Sequence, residues 1–264
     1  MNRAPAHPRP FVEVMEIADS TCGALVHTGW SKAFPWLLQG TTTRDSCDDH
    51  PFDLGLFAEH SQPASARRRW AALRKALGSD QVVHARQVHG AEVRAHRGEV
   101  AGVDEPRLVE DCDGHAADTP GVLLAVTTAD CVPVFLIDAD RRVVAALHAG
   151  WRGASAGVLE RGIETLASTF SCLPEHLRVH LGPAICGGCY EVGPEVFEAL
   201  GQEVPDRPRP IDLRRVLGQR AVLAGVPHQA ISVSVHCTRC TGSRLFSHRM
   251  GDTGRQAGFI GIRA

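Results

Sequence analysis

The sequence predicts one compact domain of strands and helices in mixed order, of the α/β or α+β class. Three observations carry this reading. A chain of 264 residues, 44% hydrophobic, is large enough to bury a sizeable core. The runs at 121–128 and 132–138 are almost continuously apolar, as expected of strands covered on both faces. Segments with helical spacing of apolar residues stand among such runs, and no internal repeat or low-complexity block divides them. The domain is expected over residues 24–264, with residues 1–23 forming a tail and a first strand.

The formal charge of -2 is near neutral, and the basic residues are scattered, mostly as single arginines. That argues against a nucleic acid or a membrane surface as partner. Prolines interrupt residues 1–10, where a signal peptide needs an unbroken apolar core, and no stretch is long and apolar enough to span a bilayer. A cytoplasmic protein is expected. Nine cysteines are an odd number in a long chain, so reduced thiols, some of them functional, are the expected state.

In chain order, 24–30 and 36–43 read as edge strands, followed by a Thr-, Asp- and Gly-rich loop at 40–57 that suits either a functional segment or ordinary surface. Trp70, Leu73 and Leu77 lie on one face of a helix predicted over 65–77, with Gly78 as its stop. A strand-like pattern over 82–93 breaks at Gly90 and places Gln87 and His89 on one face, His84 on the other. Residues 95–120 are polar and read as a connection. A strand at 143–148 puts Val144, Ala146 and His148 on one face. Helices are expected over 154–170, 194–200 and 212–224, and strands over 177–181 and 231–236, with a loop and a last strand closing the chain.

The stretch Gly121 to Gly153 delivers two side chains with metal-binding or nucleophilic chemistry, Cys131 and His148, and His89 lies upstream. Two imidazoles and one thiolate bind zinc and leave the fourth tetrahedral position open, the mark of a catalytic site. Taken singly, a cysteine at a strand end is more commonly a small core residue. Arg152 and the glycines of HAGWRGASAG precede a helix whose free N–H groups can hold an anion, or simply start the helix. Arg44 and Arg249 are further cations in loops. Cys186, Cys189, Cys237 and Cys240 form two C-x-x-C pairs. They read either as a four-cysteine structural zinc site or as free thiols, with free thiols the default because the insert from Tyr190 to His236 is longer than in compact zinc ribbons.

With QVHG, TTADCVPV, AALHAGWRG, LGPAICGGCYEVG and FSHRMGDTGR all present in order, the chain resembles the bacterial laccase-domain family from about Thr41 to the C-terminus. Members were long classed as multicopper polyphenol oxidases and later recognised as purine nucleoside phosphorylases. The resemblance implies an α+β fold of the YfiH-like type, mixed β-sheets flanked by helices. It implies a zinc on His89, Cys131 and His148, with copper as the alternative metal. It also implies phosphorolysis of adenosine, inosine, guanosine and 5′-methylthioadenosine, together with adenosine deamination. Purine nucleosides and phosphate are thus the expected partners, and a monomer or weak homodimer the expected state. Arg44, Gln87, Arg152 and Arg249 are the substrate and phosphate candidates, Arg44 also a catalytic one. The alternative is peptidoglycan editing, in which L-serine is removed from UDP-MurNAc-L-Ser with Cys131 as nucleophile and a histidine as its base. A binding protein with a purely structural metal is a further reading, and a copper polyphenol oxidase a weaker one. The chain departs from the family at Asp53, where an SLNLG-like segment usually carries Asn.

Overall fold

A computed structural model describes residues 10–57, 62–98 and 105–264. Nearly all of the Pro-rich tail expected over residues 1–10 lies outside the described residues.

Two seven-stranded sheets stack face to face. In space, the first runs Val12–Val14, Ile231–Ser234, Leu177–Leu181, Val132–Asp138, Val143–Ala149, Gly114–Ala117, Val93–His96. The second runs Ile17–Ala18, Leu25–Val26, Leu37–Thr41, Gln256–Ile262, Val122–Thr128, Gln81–Ala85, Arg107–Val109. Both mix parallel and antiparallel pairs, which gives the α+β class expected from the resemblance.

Strand alternation sorts the apolar residues into three layers. Phe135, Ile137, Val144, Ala146, Leu124, Val126 and Ile260 fill the space between the sheets. Val134, Leu136, Ala145 and Leu147 point the other way, against the helix Val158–Phe170. The second sheet is backed by the helix Pro63–Leu77 through Trp70 and Leu73, both fully buried. Each Val, Leu, Ile or Phe side chain among these stabilises the fold by about 1.5–3 kcal/mol before entropy is counted.

Several boundaries differ from the sequence reading. The strand expected over 24–30 stops at Val26, because the His27 ring nitrogen accepts a hydrogen bond from the Trp30 amide (3.1 Å) and caps a short helix, Thr28–Ala33. The pattern over 82–93 is two separate strands, Gln81–Ala85 and Val93–His96, joined by a turn that holds Gln87 and His89. Within 95–120, Gly114–Ala117 is a fully buried strand rather than part of a connection. The single helix expected over 154–170 is two, Trp151–Ser155 and Val158–Phe170, separated where Gly157 takes φ 86°. Gly78 ends the helix Pro63–Leu77 in the left-handed region, as expected. Among the described residues, no helix is long and apolar enough to cross a membrane.

Candidate metal centre

The chain crosses from one sheet to the other between Thr128 and Val132, and Cys131 sits on that crossing. The alternation that turns Val144 and Ala146 into the inter-sheet layer turns His148 the same way. His89 approaches from the turn after Gln81–Ala85, with its backbone at φ 59°. One ligand atom from each of His89, Cys131 and His148 lies within 4.8 Å of the others, close enough to hold a metal ion. The two imidazoles meet edge to face at 4.8 Å between centroids. Gly150 makes the space. A Cβ there would stand 2.9 Å from Cys131 Sγ and 3.1 Å from the His89 ring, so this donor set needs glycine beside it.

Asp113 organises the centre, and the sequence reading did not single it out. It is fully buried at the start of the strand Gly114–Ala117. Its carboxylate accepts three successive amides, Val88 (3.1 Å), His89 (2.9 Å) and Gly90 (2.7 Å), which fixes the strained turn that carries His89. Its Oδ1 lies 2.8 Å from His148 Nδ1, and its carbonyl accepts the His148 amide at 2.7 Å. His148 therefore presents Nε2 to the centre, with Nδ1 oriented by a carboxylate behind it. Burial pushes the Asp113 carboxyl up, but His148 and the amides hold it below the ordinary carboxylate range.

The same charges act on the thiol. Burial raises Cys131, yet the neighbouring His148 and His89 bring it down to about 6. His148 is raised to about 9, the Cys131 sulfur and the Asp113 carboxylate outweighing its burial. A sulfur held as thiolate beside two imidazoles is a metal ligand or a nucleophile.

The centre opens on a cavity of about 300 Å³ lined by Phe57, Gln87, Thr127, His248 and Arg255 besides the three donors. Gln87 lines this cavity, and its amide is held by Thr127, donating to the carbonyl (2.8 Å) and accepting from the amide (2.7 Å). The three other candidates do not line it. Arg44 pairs with Asp252 and covers the Phe246 ring, Arg152 lies over Trp151, and Arg249 lies over Tyr190 while donating to the Glu191 carbonyl (2.9 Å). The helix after Gly150 has only five residues. Arg255 carries the permanent positive charge among the lining residues. It and His248 belong to the FSHRMGDTGR run, in which the sequence points to Arg249 alone. Asp53 accepts the amides of Gly55 and Arg255, both at 2.8 Å, so it ties the 53–57 loop to the cavity wall. The Oδ1 atom that does this exists in Asn as well, which accounts for the departure at this position.

Residues 38–263 match the family described as multi-copper polyphenol oxidoreductase laccase. The chain belongs to that family. It is 32% identical over 262 residues to the purine nucleoside phosphorylase YlmD of Geobacillus stearothermophilus, covering 89% of this chain and 95% of that protein. It is 33% identical over 205 residues to the adenosine deaminase RL5 of an unknown prokaryotic organism, covering 72% and 78%. The crystal structure of the Bacillus licheniformis hypothetical protein YfiH superposes with a TM-score of 0.84 at 26% identity, covering 94% of this chain and 99% of that one. This laccase-family chain thus shares its sheets and helices with YfiH over nearly its whole length.

Proposed function

We propose that this chain is a zinc-dependent purine nucleoside phosphorylase that also deaminates adenosine. The observation that carries the reading is the His89, Cys131 and His148 group facing a cavity sized for a small ligand, in a chain whose relatives are named for those two activities. Two imidazoles and one thiolate suit zinc and leave a position free. Bound there, zinc supplies Lewis acidity at the cavity floor.

The chain's own residues supply the rest. Gln87 is anchored by Thr127, so the lining it contributes is rigid and can orient a purine. Phe57, half exposed near the cavity, offers a ring face to the base. Arg255 is the lining cation best placed for phosphate, with His248 nearby to hold or give a proton. Arg44, Arg152 and Arg249 stay in the proposal as groups acting from outside this lining, by holding loops or by contacting substrate that protrudes from it.

The deciding experiment incubates adenosine with the purified protein, with and without phosphate, and resolves adenine, inosine and ribose 1-phosphate. Phosphate-dependent adenine together with ribose 1-phosphate is expected. His89→Ala and Cys131→Ala are each expected to reduce turnover at least 100-fold. Full phosphorolysis by either variant, folded normally, would sink the reading.

A second reading has its own support. The lowered Cys131 thiol beside a raised His148 is also the arrangement of a thiol hydrolase, which suits amide cleavage of UDP-MurNAc-L-Ser. Release of serine from that precursor by metal-free protein, blocked by a thiol alkylator, would favour it. Copper bound in place of zinc, with oxidation of a polyphenol, would favour the oxidase.

A further inference from the structure

We propose that Cys186, Cys189, Cys237 and Cys240 hold a second zinc ion, structural in role, that locks the two loops flanking Asp130 and so fixes the backbone presenting Cys131. The four Sγ atoms all lie within 4.8 Å of one another. The long insert between the two C-x-x-C pairs does not keep them apart, because the chain brings them back together. Cys186 and Cys189 follow the strand Leu177–Leu181, and Cys237 and Cys240 follow Ile231–Ser234. Those strands are parallel neighbours, so both pairs emerge at the same end of the sheet. The pairing continues past the strands in a bridge between Ala184 and Cys237, with the Thr238 amide donating to the Ala184 carbonyl at 3.2 Å.

The local chemistry suits thiolates bound to one ion. The amides of Cys186 (3.2 Å) and Arg239 (3.4 Å) both donate to Cys237 Sγ. The second of these is a turn in which the residue two positions on points its N–H at the sulfur. Cys189 and Cys240 have their sulfurs 3.8 Å apart. That is far beyond the roughly 2.05 Å of a disulfide. Two thiolates at about 2.3 Å from a shared tetrahedral zinc stand about 3.8 Å apart. Four thiolates leave no open position, so this site holds structure and does no chemistry. It is also a different donor set from His89, Cys131 and His148, with no residue in common.

What the ion would hold is visible in the neighbouring bonds. Thr238, next to Cys237, donates its hydroxyl to Asp130 Oδ1 at 2.5 Å. Ile185, next to Cys186, donates its amide to the Asp130 carbonyl at 3.1 Å. Asp130 sits in the left-handed region at φ 91° and immediately precedes Cys131. One residue beside each C-x-x-C pair therefore grips the same strained position.

The test measures metal by inductively coupled plasma mass spectrometry and native mass spectrometry on protein purified without chelators. Two zinc ions per wild-type chain are expected. Cys131→Ser is expected to leave one, and titrating that variant with an organomercurial thiol reagent is expected to release it. Cys189→Ser/Cys240→Ser, at the more exposed pair, is expected to keep the other zinc while losing thermal stability. No zinc released from the Cys131→Ser chain, iron in place of zinc, or disulfides among the four cysteines would overturn the proposal. The count is independent of activity. A phosphorylase assay that fails leaves the four-cysteine zinc standing, and a missing second zinc leaves the phosphorylase reading standing.

Discussion

Asp113 places both histidines of the metal centre while touching no substrate-facing space. Three amides and one imidazole converge on its two carboxylate oxygens. Asp113→Asn keeps the shape, but it turns an NH2 group toward donors that need an acceptor. Carboxylates behind a ligating histidine typically matter by 10–100-fold in metal affinity. We therefore expect Asp113→Asn to weaken zinc binding at the His89, Cys131 and His148 group by about that factor, read by competition with a chelator. The metal-free variant should also unfold more easily than metal-free wild type, by about 1–3 kcal/mol for the buried donor left without an acceptor. Unchanged affinity would show that the turn at His89 holds itself. The three donors were legible in the sequence because their residue types and motifs advertise chemistry. Asp113 was not, because its partners are backbone amides that look alike in any sequence. Arg255 was hidden for a related reason: backbone bonds with Asp53 and Leu54, far away in sequence, help hold it at the cavity.

The helix Val158–Phe170 is the element that backs the strand carrying His148. It packs tightly at Gly162, where an added Cβ would stand 2.7 Å from Leu147 Cδ1 and 3.1 Å from Cδ2. Alanine gains about 1 kcal/mol of helix propensity over glycine, while overpacking costs about 1–3 kcal/mol. Leu147 is fully buried and lies one residue from His148, so it has little room to yield. The packing cost wins. Gly162→Ala should lose on the order of 1 kcal/mol of stability in urea unfolding, and a variant as stable as wild type would mean the helix rides higher than its contacts indicate. At this scale the sequence showed most of the architecture, since long apolar runs such as Val122–Thr128 and Val132–Asp138 identify themselves. It hid Gly114–Ala117, whose glycine, histidine and two alanines lack β-branched side chains and form a strand because two neighbours pair with them. It also hid the break at Gly157, since helical spacing continues across it.

Across the whole molecule, burial has been spent on histidines that stay neutral. His27 and His84 are lowered to about 4 mainly by burial, His96 to about 4 by burial and the charges of Arg107 and Arg94, and His115 well below its ordinary value by burial. His96 Nε2 and His115 Nδ1 stand 3.1 Å apart, a pair that shares one proton and resists a second. In the unfolded chain each of these groups titrates near 6.5. Between about 6.5 and about 4 the unfolded state therefore binds protons that the folded state refuses. Stability is full above the unfolded value and is lost as the pH falls through this window. Glu16 acts in the same direction lower down. Burial raises its carboxyl, but the bonds from His180 (2.8 Å) and Ser234 (2.8 Å) bring it below the ordinary value, so its contribution disappears in more acid solution. Each withheld proton steepens the fall by at most about 1.4 kcal/mol per pH unit. The urea midpoint should therefore drop steadily from pH 7 to pH 4, and His96→Gln, which can still donate to His115, should flatten that slope by up to one proton. Release of a metal bound as proposed by the His89, Cys131 and His148 group would also destabilise in acid, but it is common to both proteins and cancels in the difference between their slopes. Parallel slopes would mean that the folded chain lets His96 take up its proton, and that the part-buried pair opens before the molecule does.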